Sequence, residues 1–252
     1  MDDETHMPGE TTLTRRNSLL GLGGIAAAAL GAGGVLAALE GDDAEAASSG
    51  PAAVASGLVT CVLTPEMTVG PYYLDGDKVR RDIREGRPGT RLDLATTVVD
   101  VSTCKPIKGA LVDIWHCDAG GTYSGFAQEG TDGDTFMRGI QRTTKTGLAT
   151  FVTVYPGWYS GRTVHIHVQV SLGGNVLHTG QLFFPETLTD TVYRRPPYNR
   201  RPGRDTRNAT DSIFRNGGSK SVLKLAKTRT GYTARITMGV SRSYGRAAAG
   251  RS

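Results

Sequence analysis

Six stretches of the chain alternate side chains with a period of two or concentrate β-branched residues: Leu92 to Val101, Ala110 to Cys117, Ala149 to Tyr155, Thr163 to Val170, Val176 to Phe184 and Tyr232 to Val240. Clusters of Gly, Pro, Asn, Asp and Ser punctuate them. Beyond residue 60 no stretch carries a sustained helical period, although Asp211 to Arg215 and Ser219 to Ala226 are each expected to form a short helical turn. The pattern predicts an all-β fold, an antiparallel β-sandwich with few short helices. Long connections are expected at Asp118 to Gly147 and Thr187 to Gly218, and loops of that length in a compact domain tend to carry function. At 252 residues, with no repeat period, one domain plus tails is expected.

The first residues read as an address, not as part of that domain. Arg15-Arg16 precede Ser18 to Leu39, 22 uncharged residues rich in Ala, Gly and Leu, and Ala44-Glu45-Ala46 offers small residues two apart. TRRNSLL resembles a twin-arginine export signal, a route that carries folded and often metal-loaded proteins. Residues 1–46 are accordingly expected to be a cleaved signal, 47–60 a flexible lead, 61–242 the sandwich and 243–252 a flexible tail. The chain would be secreted, with no stable membrane insertion after cleavage. The alternative is a retained anchor, since the uncharged stretch at about 1.5 Å per residue is long enough to span a bilayer.

Cleavage after Ala46 removes two arginines and eight acidic residues, leaving 27 basic against 16 acidic residues, a net charge of +11. Such a charge suits anionic small molecules or surfaces. It does not single out nucleic acid: the six arginines of YRRPPYNRRPGRDTR alternate with Pro, Gly and Asn instead of stacking aromatics, which reads as a solvated loop. The three cysteines include no CxxC pair, and in an exported chain one bridge is expected, Cys61 to Cys104, because both lie in irregular segments while Cys117 ends a strand.

Strand alternation exposes the candidate site. In TVHIHVQV the period of two sends Val164, Ile166, Val168 and Val170 to the core and puts His165 and His167 together on the opposite face, where two imidazoles can share an ion. Upstream, Tyr155-Pro156-Gly157-Trp158 is read as a type II turn handing Tyr159 to a loop six positions before His165. The turn at Asp118-Ala119-Gly120-Gly121 would present Tyr123 at the end of another strand. Phenolates are hard anionic donors, and two of them with two neutral imidazoles suit a ferric ion. Zinc would more often gather Cys or a third His, and only His116 and His178 remain after the leader.

The ordered segments WHCDAGGTYSGF, FMRGIQRTTKTGLATF, YPGWYSGRTVHIHV and HTGQLFFPE resemble the intradiol ring-cleavage dioxygenases. The likeness runs from about Thr64 to Phe214, beginning at TPEMTVGPYYLDGDKVRRDI and including DTRNATDSIF. Carried over position by position, it implies that Tyr123, Tyr159, His165 and His167 hold a non-haem Fe(III). Tyr159 would be the axial tyrosinate that leaves when substrate arrives, with His167 also axial and Tyr123 and His165 near the equatorial plane. Tyr155 is not expected to bind. Arg162 would lie beside the substrate ring, and Gln181 matches a glutamine just beyond the ligands in catechol-cleaving members. The implied partners are a catechol-type substrate and O2, the implied product a cis,cis-muconate; an oligomer is possible.

The chain departs from that family's pattern at Val69, where many relatives carry an acidic residue, at Thr143-Thr144-Lys145, which replaces an Asp-containing turn, and in showing no N-terminal helical segment of the kind that dimerises many catechol dioxygenases. Two other readings remain open at this stage. One is a non-catalytic secreted sandwich binding polysaccharide or cell wall, with surface histidines; the other is a cupin-like or superoxide-dismutase-like metal site, which lacks the further histidines it needs.

Overall fold

The computed structural model describes residues 61–76 and 78–243. The leader and the flexible lead and tail expected from the sequence lie outside these residues, apart from Ser243. Eight strands form two four-stranded sheets: β1 (Arg91–Asp100), β2 (Leu111–Trp115), β3 (Arg138–Arg142), β4 (Leu148–Val154), β5 (His165–Leu172), β6 (Asn175–Phe183), β7 (Lys224–Lys227) and β8 (Gly231–Val240). One sheet has the order β4-β1-β8-β7, the other β3-β2-β5-β6. The β-sandwich expected from the pattern is present.

Alternation sets the interior. Along β1, Leu92, Leu94, Thr96 and Val98 are buried while Arg91, Asp93, Ala95 and Thr97 face outward. Opposite them, Val112, Ile114, Ile166, Val168 and Val170 are fully buried in the same cluster. Burying each such side chain contributes about 1.5–3 kcal/mol, so this inter-sheet layer dominates stability.

Several sequence expectations need correction. All neighbours are antiparallel except β1 and β8, which run parallel from Arg91↔Gly231 to Asp100↔Val240. The last strand closes the sheet by inserting beside the first, a long-range pairing that local pattern does not encode. Ser219 to Ala226 is a helical turn only at its start; the 3-10 turn at Gly218–Ser221 leads into β7, which pairs with β8. Asp211 to Arg215 does fold as expected: α2 (Ser212–Arg215) is capped by the Asp211 carboxylate. Within the expected long loops lie unforeseen elements: β3, α1 (Glu186–Tyr193) and 3-10 turns at Ala127–Glu129 and Tyr198–Arg200.

Cys61 and Cys104 form a disulfide and Cys117 is free and buried. Among the described residues no helix is long and apolar enough to cross a membrane.

Candidate active site

The candidate site lies on the outer face of the second sheet, away from the inter-sheet core. Cross-strand register aligns Arg138, Trp115, His167 and Gln181 in one row, through the pairs Trp115↔Arg138, Trp115↔His167 and His167↔Gln181. His165 sits two residues before His167 on the same face. The stretch from Met67 to Tyr73 runs over the row: the Met67 N–H donates to the Thr179 carbonyl at 2.9 Å, and Gln181 Nε2 donates to the Thr68 carbonyl at 3.1 Å. Gly70 (φ +77°) brings this cover so close that a Cβ there would sit 2.9 Å from His167 Cε1. The reading with surface histidines fails on burial: His165 is 2% and His167 0% exposed.

Each imidazole is fixed. His165 Nδ1–H donates to the Thr163 carbonyl at 2.6 Å, which leaves the Nε2 lone pair free to accept. The His167 ring lies flat on Trp115, centroids 5.0 Å apart and planes 7° from parallel, and its Nδ1 is buried without a partner. The two Nε2 atoms are 3.0 Å apart. Burial, then the Arg162 charge, pushes His165 down to about 3. Burial, then His165 and Arg162, holds His167 well below the usual imidazole range. Both rings are neutral at neutral pH.

The two phenols come from loops that fold against each other. Asp118 shapes the first: its carbonyl accepts from Gly121 N–H at 3.0 Å, and its Oδ1 accepts from the N–H groups of Gly120 (2.8 Å) and Thr122 (3.1 Å). In the second loop Tyr155 to Trp158 does not form a type II turn, because Gly157 has no positive φ. The turn instead falls at Ser160-Gly161, where Gly161 has φ +83°. Gly157 is needed for proximity: its N–H donates to the Asp118 carbonyl at 2.9 Å, and a Cβ would lie 2.6 Å from that oxygen and 2.7 Å from Gly121 N.

Tyr159 Oη reaches His165 Nε2 at 3.3 Å. Tyr123 is 1% exposed, its hydroxyl buried without a hydrogen-bond partner, and its ring centroid lies 5.7 Å from that of Tyr159 and 6.4 Å from that of His167. Tyr72 stacks on Tyr123 at 4.0 Å with planes 3° apart. Burial raises both phenols, Tyr159 to about 12 despite the Arg162 charge, and Tyr123 well above the usual phenol range with the neighbouring Tyr159 adding to the shift. Only a strong local cation would make both anionic at neutral pH.

Arg162 links this pocket to the late loop. Its Nη2 donates to Gln181 Oε1 at 2.5 Å, and its Nε donates to Asp211 Oδ2 at 2.8 Å. Asp211, 1% exposed, also accepts from Thr163 N–H at 2.8 Å through Oδ2, and through Oδ1 from Ile213 and Phe214 N–H, both at 2.8 Å. Burial favours its protonated form, but the Phe214 and Thr163 amides and Arg162 outweigh that and hold it below the usual carboxylate range.

Thus the six residues singled out from the sequence meet in one neighbourhood, while the other candidates do not. His116 spends its ring nitrogens on the Cys117 carbonyl and Thr153 Oγ1, each at 2.8 Å, and His178 Nδ1 meets Glu66. Tyr155 Oη bonds Thr189 Oγ1 at 2.7 Å. Asn208 uses both ends of its amide, accepting from Thr163 Oγ1 and donating to the Phe184 carbonyl. Trp115 packs against a candidate ligand, His167. Gly70, Asp211 and Arg138, a fully buried cation that donates to the Tyr72 and Ser124 carbonyls, went unnoticed in the sequence. The charge of Arg138 in RGIQR argues against a buried strand there, and the register that pairs it with Trp115 is not encoded locally.

The donor set fits a single metal ion. Two ligands at right angles on a first-row ion with bonds of about 2.1 Å stand about 3.0 Å apart, the observed Nε2 separation. The orphaned Tyr123 hydroxyl and the adjacent Tyr159 phenol supply oxygen donors. Among the described residues no three His, Cys, Asp or Glu side chains gather elsewhere to compete.

Fold and pocket together define a β-sandwich protein with a mixed imidazole and phenol centre on the outer face of one sheet. A family model described as Dioxygenase matches residues 68–192. An intradiol ring-cleavage dioxygenase from Tetranychus urticae is 38% identical, with 72% of this chain and 95% of that one covered at a TM-score of 0.69. The dioxygenase domain of a carbohydrate-binding fusion protein from Streptomyces sp. SirexAA-E is 28% identical over 71% of this chain and 99% of its own, TM-score 0.57. Catechol 1,2-dioxygenase 1 of Acinetobacter lwoffii is 29% identical over 131 residues, 43% of this chain and 42% of that protein, so the chain spans under half of that relative's length. The chain belongs to the intradiol ring-cleavage dioxygenases.

Proposed function

We propose that the protein is an exported, non-haem Fe(III) dioxygenase that opens catechol-type rings between the two hydroxyls, adding both atoms of O2 to give cis,cis-muconate-type products. The observation that carries this reading is the convergence of His165, His167 and Tyr159, with heavy-atom separations of 3.0 and 3.3 Å, beside the orphaned phenol of Tyr123. Tyr123, Tyr159, His165 and His167 would hold the ion. A ferric ion bound there supplies charge that acidifies both catechol hydroxyls and draws electron density from the ring, opening it to O2.

The chain's own groups do the rest. Held as a phenolate by a bound ion, Tyr159 Oη would take up a catechol proton on release, because burial holds the free phenol up to about 12 and so favours its neutral form. Arg162 places a fixed positive charge at the ring as negative charge develops, a preorganised role worth about 3 kcal/mol. Gln181 and Asp211 fix that guanidinium from two sides. The twin-arginine resemblance supports export after folding.

The test is oxygen uptake by iron-loaded protein over a panel of catechols, with product mass measured. A gain of two oxygen atoms with cleavage between the hydroxyls supports the proposal; cleavage outside them, or no uptake, refutes it.

A further inference from the structure

We propose that Arg201 is a positioning residue that clasps the two tyrosine loops, and that the arginine-rich stretch 193–207 is a strap setting where Tyr123 and Tyr159 stand. The inference rests on the dioxygenase reading of that pocket. As expected of a solvated loop, most of this stretch is exposed, Arg201 included, yet several of its side chains reach back onto the neighbouring loops. Arg204 and Arg207 pair with Glu186 and Asp190. Three donors grip the backbone of the loop leading to Tyr159: Tyr198 Oη to the Tyr155 carbonyl at 2.7 Å, Tyr193 Oη to the Pro156 carbonyl at 2.9 Å, and Arg201 Nη1 to the Trp158 carbonyl at 2.6 Å. Beyond it, Asp205 accepts from Ser160 Oγ and Gly161 N–H.

Arg201 alone among these also reaches the other loop. Its Nη1 donates a second bond, at 2.9 Å, to the Gly120 carbonyl, three residues before Tyr123. Its guanidinium carbon lies 4.1 Å over the Trp158 ring, whose Nε1 donates back to the Arg201 carbonyl at 3.1 Å. One nitrogen therefore spans carbonyls from both phenol-bearing loops. They are already so close that a Cβ at Gly121 would stand 2.2 Å from the Trp158 oxygen. A cation facing two carbonyl oxygens offsets their mutual repulsion, and stacking on Trp158 fixes its approach.

Two substitutions separate the donor from the bulk. Arg201→Met keeps an apolar stem against Trp158 and removes the donor; Arg201→Lys keeps a cation able to face both carbonyls. Hydrogen exchange on metal-free full chain is read at the Gly120, Gly121, Thr122, Gly157 and Arg162 amides, with β5 amides as control. Arg201→Met is expected to speed exchange in both loops by about tenfold without changing β5, and Arg201→Lys to stay near wild type. In ferric-loaded protein Arg201→Met should also shift the visible tyrosinate band and release iron faster to a chelator. Wild-type exchange in the Arg201→Met loops overturns the clasp, as does a loss of protection spread equally through β5. If wild type itself takes up no iron and cleaves no catechol, it is the dioxygenase reading that falls, and the exchange data still decide the loop contact.

Discussion

Asparagine at position 211 would keep one half of the native carboxylate's work and reverse the other. The Oδ1 atom caps α2 by accepting from Ile213 and Phe214 N–H, and an asparagine oxygen can do the same. The Oδ2 atom accepts from Arg162 Nε and Thr163 N–H, each at 2.8 Å, and there asparagine presents an NH2 group to two donors. Removing one partner of a buried ion pair costs about 3–5 kcal/mol. Arg162 is 17% exposed and keeps its bond to Gln181, which places Asp211→Asn near the lower bound, about 3 kcal/mol. Asp211→Ala loses the cap as well, adding about 1 kcal/mol. Freed from one of its two supports, Arg162 no longer holds its charge at the ring, and turnover is expected to fall about 100-fold, with KM changing less than kcat. Urea unfolding and oxygen uptake on the same preparations provide the check. An asparagine variant with wild-type kcat would refute the orienting role of Asp211, whatever its stability.

Further outcomes follow from the same geometry. Gly157→Ala should destabilise by about 1–3 kcal/mol and impair iron retention, because its methyl meets the Asp118 and Ala119 carbonyls; thermal melts and chelator challenge measure both. Cys104→Ser should lower stability by about 2–4 kcal/mol, given the 43-residue separation, and leave the visible spectrum unchanged. The buried histidines set a pH response in metal-free protein. His165 and His116 titrate at about 3 and about 4 when folded and near 6.5 when unfolded. Below about pH 6.5 the unfolded chain therefore binds more protons, and stability falls by about 1.4 kcal/mol per pH unit for each such histidine. Melting temperature against pH should show this slope, and His165→Gln should reduce it; a flat profile between pH 7 and 5 would contradict it.

The sequence revealed those parts of the molecule that depend on local periodicity. The two-residue alternation of TVHIHVQV places Val164, Ile166, Val168 and Val170 inward and both histidines on the opposite face, as the structure does. Tyr123 follows a Gly-rich turn that forms as read, whereas Tyr159 was reached through a Pro-Gly turn that does not form. Four features depend on long-range contacts and were not legible. The parallel union of β1 with β8 needs the two ends of the domain to meet. The buried Arg138 and the polar KLAK edge strand contradict the apolar pattern of strands, one being satisfied by carbonyls and the other lying at a sheet edge. In the Tyr155 to Trp158 stretch, Pro-Gly suggested a turn, whereas Gly157 serves close contact with a loop nearly forty residues away in sequence. The row from Arg138 to Gln181 exists only once register is set, so nothing local marks Trp115 as the floor under His167.

In the proposed centre four side chains share one ferric ion. Anaerobic titration of the metal-free protein with Fe(III), followed by visible absorption, tests it most directly. One iron per chain with a tyrosinate-to-iron charge-transfer band, altered separately by Tyr123→Phe and Tyr159→Phe and lost in His165→Ala/His167→Ala, is the expected result. Stoichiometric iron in a colourless protein, or a band indifferent to both phenylalanine variants, would contradict it.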